Sequence, residues 1–182
     1  MKKLGLLLVV AISIFSCKNA EQHKAGIEEL GTNWDATTAA FTEFAGTVEA
    51  ENTTFTETTA AMAVDSAALA KLPADAQTKI NDAKAVVTNA GAGYASLLTE
   101  ISTFGADWTA KAAEVTALKE GLAAGKLEGD AAAKIAELTT YVTDSQAKVA
   151  TMKETFKSVK EASTNGQVEY TKVLEMNKLM KK

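Results

Sequence analysis

The chain has 182 residues, of which 19 are basic and 23 are acidic, and its formal net charge is −4. Every basic residue is a lysine, so the chain lacks the planar guanidinium fork that reads guanines and phosphates, and we expect no nucleic-acid partner. With His23 as its sole histidine, one chain cannot build a histidine-based catalytic triad or a multi-histidine metal site.

The first predicted element is an apolar leader over residues 1–16. Lys2 and Lys3 precede an uncharged apolar stretch at residues 4–15. That stretch is shorter than the roughly 20 residues that span a bilayer, and its length is typical of a secretory signal peptide. Its end, Ile14-Phe15-Ser16-Cys17, resembles the lipobox of bacterial lipoproteins, a family in which the leader is cut before the cysteine and the thiol is joined to a diacylglycerol.

The resemblance implies that Cys17 is lipidated and that residues 17–24 tether the remaining chain to a membrane. Cys17 is the single cysteine, so it cannot form an internal disulfide. The alternatives are a cysteine removed with an ordinary signal peptide and one in an uncleaved helix. We expect a lipid-anchored location in the bacterial cell envelope, in the outer membrane, on its periplasmic or surface face. Removal of Lys2 and Lys3 with the leader would leave 17 basic and 23 acidic residues, a net charge of −6.

Three later stretches carry an apolar residue at every seventh position. The stripes begin at Ile27, Ile80 and Ile135, and the third weakens after Phe156. Sustained heptad spacing predicts helices that bury one stripe against partner helices. We predict an all-α fold, an elongated antiparallel up-down-up three-helix bundle with coiled-coil-like heptads, forming one domain over 25–182.

Helix boundaries follow from residues that interrupt or cap helices. Proline is tolerated in a first helical turn and not in an interior, so Pro73 separates the first two helices. Gly125 and Gly129 with Asp130 end the second helix and cap the third. Thr53–Thr59 is a poor helix former, and Ser163–Gly166 predicts a break. The predicted helices span about 25–71, 74–124 and 130–163, with a tail segment at 167–180.

Folding the three runs back on one another predicts specific contacts. Short connections place neighbouring helices antiparallel, which sets Trp34 against Val115 of the second run and Val142 of the third. Acid-to-lysine pairs four residues apart, including Asp107–Lys111 and Asp130–Lys134, would each add about 0.2–0.5 kcal/mol to helix stability.

No catalytic or cofactor motif emerges from the sequence. Gly91-Ala92-Gly93 begins like a dinucleotide-binding loop, but Ser96 stands where the third glycine belongs and no strand precedes it. Aromatic residues at heptad spacing are typical of a packed core. We predict that the protein is not an enzyme and binds no cofactor.

Two further residues are candidates for covalent modification. Asp65-Ser66-Ala67 resembles the short acceptor sequence for O-glycans in some lipoprotein-rich bacteria, which implies modification of Ser66. Lys182, at the end of Met180-Lys181-Lys182, resembles the terminal lysine through which the small helical murein lipoprotein is joined to the cell wall.

The heptads of the mature chain resemble those of uncharacterised helical lipoproteins labelled as carrying viral A-type inclusion protein repeats, a resemblance that implies no activity. The leading hypothesis is a membrane-anchored structural or protein-interaction module with an envelope protein as its partner. One alternative is a bundle that binds a lipid or another apolar ligand, and a further one is a cell-wall tether through Lys182. Homo-oligomerisation stays open.

Overall fold

The computed structural model describes residues 2–179, with side chains from residue 20 onwards. This part of the chain is 89% helical and contains no strand, and its helices pack against one another, so the prediction of an all-α protein is confirmed. In chain order the helices are α1 (Lys2–Ala61), α2 (Ser66–Leu69), α3 (Ala74–Ala123) and α4 (Ala131–Met176).

The helices form two compact units. Unit 1 comprises Met1–Phe41 and Phe104–Val149, and unit 2 comprises Thr42–Thr103 and Ala150–Lys182. Each long helix contributes one segment to each unit. The division follows from helix length, since each residue rises 1.5 Å along the axis and residues many turns apart share no neighbours.

Most residues of the predicted heptad stripes are buried. In α3 the buried members of the stripe are Ile80, Val87, Tyr94, Ile101, Trp108 and Val115. In α1 they are Ile27, Trp34, Val48 and Phe55, with Met62 directly after the helix end, and in α4 they include Val142 and Val149. Burial of one such side chain contributes about 1.5–3 kcal/mol, so these stripes form the main apolar contacts of the chain.

The first long helix differs from its prediction at both ends. Its backbone is helical from Lys2, through the positions of the predicted leader and tether, and it ends at Ala61 instead of near residue 71. The following turn carries the separate helix α2, whose N-cap is Asp65. The cap satisfies a backbone donor at the start of α2, which explains why the chain starts a new helix there.

The threonine-rich stretch Thr53–Thr59 remains helical because its hydroxyls bond to the helix itself. Thr53 Oγ1 donates to the carbonyl of Glu49 at 2.9 Å, and Thr54 Oγ1 donates to that of Ala50 at 3.0 Å. A threonine side chain bonded in this way does not offer the backbone an alternative partner. These hydrogen bonds therefore offset the low helix propensity of the threonines in this stretch.

Helix α4 runs without interruption through Ser163–Gly166, where the sequence predicted a break before a tail segment. Gly166 is buried in unit 2, and a Cβ there would lie 3.0 Å from Val86 Cγ1 and 3.4 Å from Val87 Cγ2. The glycine therefore serves a close approach between α4 and α3. Ser163 is also buried, and its hydroxyl donates to the carbonyl of Lys160 at 3.2 Å.

Candidate functional site

Two of the three predicted modification sites lie outside the described side chains. Cys17 falls on the helical backbone of α1, before the first described side chain at residue 20. Lys182 lies beyond Leu179, the last described residue. Lipidation of Cys17 and cell-wall attachment through Lys182 stay predictions.

Ser66, the third predicted modification site, is the exposed first residue of α2. The preceding carboxylate caps the helix, since Asp65 Oδ1 accepts a hydrogen bond from the backbone N–H of Ala67 at 2.9 Å. The Ser66 carbonyl accepts from the N–H of Ala70 at 3.0 Å. The backbone of the predicted glycan acceptor is thus ordered and its serine is accessible, and glycosylation itself stays a prediction.

A stack of aromatic rings occupies the core of unit 1. The rings of Trp34 and Trp108 are 3.7 Å apart and inclined by 14°, and Tyr141 lies 5.8 Å from Trp108. Trp108 Nε1 donates to Thr38 Oγ1 at 2.9 Å. Trp34 therefore stacks on a residue seven positions along α3 from its predicted partner Val115. Rings at this spacing leave no space for a ligand between them.

Polar groups beside the aromatic stack are also engaged in packing. Gln146 Nε2 donates to Thr37 Oγ1 at 3.0 Å, and that hydroxyl donates to the Asn33 carbonyl at 2.8 Å. Burial, followed by the charge of Asp107, raises the pKa of Tyr141. Among the described residues, no fully enclosed side-chain nitrogen or oxygen lacks a hydrogen-bond partner. The buried polar side chains beside the stack are hydrogen-bonded, as is usual in protein cores, and they link neighbouring helices.

An ion cluster of four side chains joins α3 to α4 in unit 1. Lys111 Nζ lies 2.8 Å from Glu114 Oε1 and 3.1 Å from Glu137 Oε1. Lys134 Nζ lies 2.7 Å from Glu114 Oε2 and 2.8 Å from Glu137 Oε2. Each ammonium group thus contacts both carboxylates. Within the described residues, Lys111 and Lys134 form ion pairs with these glutamates and not with the aspartates predicted from sequence spacing.

Hydrogen bonds within the ion cluster move the pKa values of its members away from neutrality. The hydrogen bonds that Lys111 and Lys134 donate lower the pKa of Glu114, and acceptance of these bonds by Glu114 and Glu137 raises the pKa of both lysines. A general acid or base needs a pKa near the working pH. The cluster keeps all four groups charged, which suits a structural role.

Unit 1 also contains an open cavity of about 660 Å³ where α3 ends and α4 begins. Leu118, Ala124 and Leu127 supply apolar lining. Its charged lining is mainly acidic: Glu114, Glu120 and Glu128 face Lys126 and Lys134. Because Lys134 is already held by the ion cluster, this cavity offers little attraction to an anion.

A second cavity, of about 320 Å³, lies in unit 2 and is the candidate functional site. It is partly open to solvent, and the end of α1, helix α2, the first half of α3 and Tyr170 of α4 line it. Its apolar lining includes Met62, Leu69, Ile80 and Val87. These residues occupy heptad positions in the sequence, but heptad spacing alone does not place them around a cavity, because the fold of the 62–73 segment sets that space.

Comparisons with known proteins assign no relative: no protein-family model, curated protein or solved structure matches this chain. Among the helices of the described residues, none is long and apolar enough to cross a membrane. In the same part of the chain, no three histidine, cysteine, aspartate or glutamate side chains are grouped as metal ligands.

Proposed function

We propose that this protein is a lipid-anchored, non-catalytic helical module of the bacterial cell envelope, which acts as a structural element or offers a helical face to an envelope protein. The lipobox Ile14–Cys17 supports the anchor. One observation carries the proposal for the remaining chain: its large apolar side chains are buried along heptad stripes and used in helix packing.

For the arrangement of the long helices we propose an up-down-up three-helix bundle with coiled-coil-like packing. In unit 1, α1 contacts α4 first near Gly26 and Ile135 and then at Thr37 and Gln146. The residue numbers increase along both helices from one contact to the next, so the two helices run in the same direction. The contacts between α1 and α3 run in the opposite direction. Asp35 of α1 binds Lys119, whereas the later residue Phe41 packs on the earlier residue Phe104 of α3.

Contacts in unit 2 support the same directions. The Lys160 ammonium binds Glu51, and Gln167 Nε2 donates to Thr59 Oγ1 at 3.3 Å, so α1 and α4 again advance together. Phe55 packs on Tyr94 with ring centroids 5.3 Å apart. Since the chain reverses between α1 and α3 and again before α4, these contacts fit an up-down-up topology.

The non-catalytic part of the proposal is supported by how the reactive groups are used. The aromatic stack is closed by the contact between Trp34 and Trp108 at 3.7 Å and by the indole hydrogen bond to Thr38. In the ion cluster, the pKa of Glu114 is lowered and that of Lys111 is raised. Groups arranged in this way stabilise a fold and do not transfer protons at neutral pH.

The anchor is tested by replacing Cys17 with serine in the full chain, expressed in bacterial cells that are fed an alkyne-bearing palmitate. We expect the wild-type protein to incorporate the label and to pellet with membranes, and Cys17→Ser to lose the label. Loss of two or three acyl chains removes the binding energy needed for stable anchoring. Ser16→Ala is the matched control, because it keeps a small residue before the cysteine.

Equal labelling of wild type and Cys17→Ser would contradict the proposed anchor, as would a wild-type protein without label. If the anchor holds, a proximity-labelling enzyme fused to the carboxyl end should mark envelope proteins in wild-type cells. The same fusion carrying Cys17→Ser should lose most of that marking, while the Ser16→Ala fusion keeps it.

A further inference from the structure

We propose that the unit 2 cavity binds a monoanionic amphiphile, a carboxylate with a medium-length apolar chain. This is a binding activity beyond the anchored module, and it does not depend on lipidation of Cys17. The apolar chain would lie against Met62, Leu69 and Ile80, and the lining residues Tyr170 and Lys84 would bind its polar end.

The size and lining of the cavity suit such a ligand. Its volume of about 320 Å³ lies at the lower end of the range of about 300–1,000 Å³ that is typical of small-molecule sites. Apolar side chains form much of its wall, with a few polar groups from Thr59, Ser66 and Asn81. A mainly apolar wall with few polar groups is the usual composition of a ligand pocket.

Tyr170 provides a polar group that the fold itself leaves unused. Its side chain is 4% exposed, and no described residue forms a hydrogen bond with its hydroxyl. Every fully enclosed polar side-chain atom in the described residues has a partner, so this hydroxyl is not sealed in the core, and Tyr170 lines the cavity. Burial raises the pKa of Tyr170, which keeps the phenol protonated and able to donate a hydrogen bond.

Lys84 determines the charge of the proposed ligand. It is the sole charged residue among the described residues that line the cavity, and it is exposed. None of the ion pairs among the described residues includes it. Asp65 is adjacent in sequence to the lining residue Ser66 but is not part of the wall, and its carboxylate caps α2. A carboxylate at the rim would thus meet one ammonium group and one phenol, a charge-assisted arrangement.

The larger cavity of unit 1 is a poorer candidate for the same ligand. Three glutamates line it, and its Lys134 already binds both glutamates of the ion cluster. An anion placed there would be repelled and would compete with existing ion pairs. Charge complementarity therefore favours the smaller cavity.

The probe for the test is decanoate carrying a photoreactive diazirine on its alkyl chain, added to the purified full chain. After illumination, mass spectrometry of peptides maps the labelled residues. We expect label on the cavity wall, at residues such as Met62, Leu69 and Ile80, and we expect unlabelled decanoate to compete with it.

Two variants and a matched control examine the polar groups. Lys84→Gln should weaken competition by decanoate about three- to tenfold and leave competition by uncharged decanol unchanged. Tyr170→Phe should weaken both competitors about two- to tenfold, because it removes a hydrogen bond without charge. Lys79→Gln is the control, since Lys79 is exposed on α3 outside the cavity wall. Circular dichroism checks that each variant remains helical.

Label spread over the chain, label concentrated in the unit 1 cavity, or equal effects of Lys84→Gln and Lys79→Gln would overturn the proposal. A filling variant adds a second criterion: Ala63→Trp should exclude the probe from the cavity, and undiminished labelling of Met62 in that variant would also overturn it. Labelling reports on the cavity, whereas the Cys17→Ser experiment reports on the anchor. Failure of either proposal is therefore visible without the other.

Discussion

Replacing Gly93 with alanine tests how closely α3 and α4 approach in unit 2. A Cβ at Gly93 would lie 2.9 Å from Val159 Cγ2 and 3.3 Å from Val159 Cγ1. Valine has one strongly preferred side-chain rotamer in a helix, so its methyl groups cannot turn away easily. Excess volume in a packed contact of this kind costs about 1–3 kcal/mol.

Gly46 is the matched control, because it also lies in the unit 2 segment of a long helix but has no heavy atom within 4 Å of its virtual Cβ. Alanine is more favourable than glycine in a helix by about 1 kcal/mol. Gly46→Ala should therefore raise the free energy of unfolding by about 1 kcal/mol. Gly93→Ala combines the same gain with the steric cost. We therefore expect the free energy of unfolding of Gly93→Ala to be about 1–3 kcal/mol lower than that of Gly46→Ala.

The measurement is urea unfolding of wild type and both variants, followed by far-ultraviolet circular dichroism. Equal slopes of free energy against urea would allow the midpoints to be compared directly. Val159→Ala supplies a double-mutant cycle: with the methyl groups removed, Gly93→Ala should become stabilising by about 1 kcal/mol. If Gly93→Ala stabilises the native protein as much as Gly46→Ala, the close approach of Gly93 to Val159 is refuted.

Two other substitutions test unit 1. Trp108→Phe removes the hydrogen bond to Thr38, so we expect the free energy of unfolding in urea to fall by about 1–2 kcal/mol. We also expect a changed near-ultraviolet circular dichroism spectrum, and an unaltered spectrum would contradict the stack with Trp34. Because the ion cluster lowers the pKa of Glu114, its stabilisation is complete above the ordinary carboxyl pKa and is lost as the pH falls through the lowered value. Glu114→Gln should therefore flatten the acid side of a plot of urea midpoint against pH. Glu161→Gln is the exposed control, and equal slopes for the two variants would contradict the stabilising role of the ion cluster.

The sequence predicted the buried stripes well because heptad periodicity is a local property that each helix carries alone. Ile80, Tyr94 and Trp108 could be assigned to one buried face by counting. The partner of Trp34 could not, because register depends on which side chains fit across the helix interface. Two flat indoles gain more contact area by stacking at 3.7 Å than an indole gains against Val115.

Helix ends were harder to predict because tertiary contacts overrode local propensity. Helix propensity predicts that Gly166 interrupts the helix. Instead α4 continues through it, because the small size of glycine allows α4 to lie against Val86 and Val87. At the end of α1 the opposite occurred: the apolar spacing continues to Leu69, but the capping carboxylate of Asp65 starts a separate helix. A propensity scale contains neither kind of contact.

The candidate site in unit 2 was not predictable from spacing. Its two polar determinants, Lys84 and Tyr170, are 86 positions apart in sequence. Tyr170 was expected in a tail segment after a helix break, and its place in the cavity wall depends on the continuity of α4. The charge of Lys84 became informative only when the described lining residues were found to include no carboxylate.

Many exposed threonines use their hydroxyl protons within their own helices. Examples include Thr47 in α1, Thr99 in α3 and Thr140 in α4, each donating to the carbonyl four residues earlier at 2.9–3.0 Å. A hydroxyl with its proton committed in this way presents lone pairs outward. The outer faces at these positions consequently act as hydrogen-bond acceptors, and a macromolecule that adheres to them would have to supply N–H or O–H groups of its own.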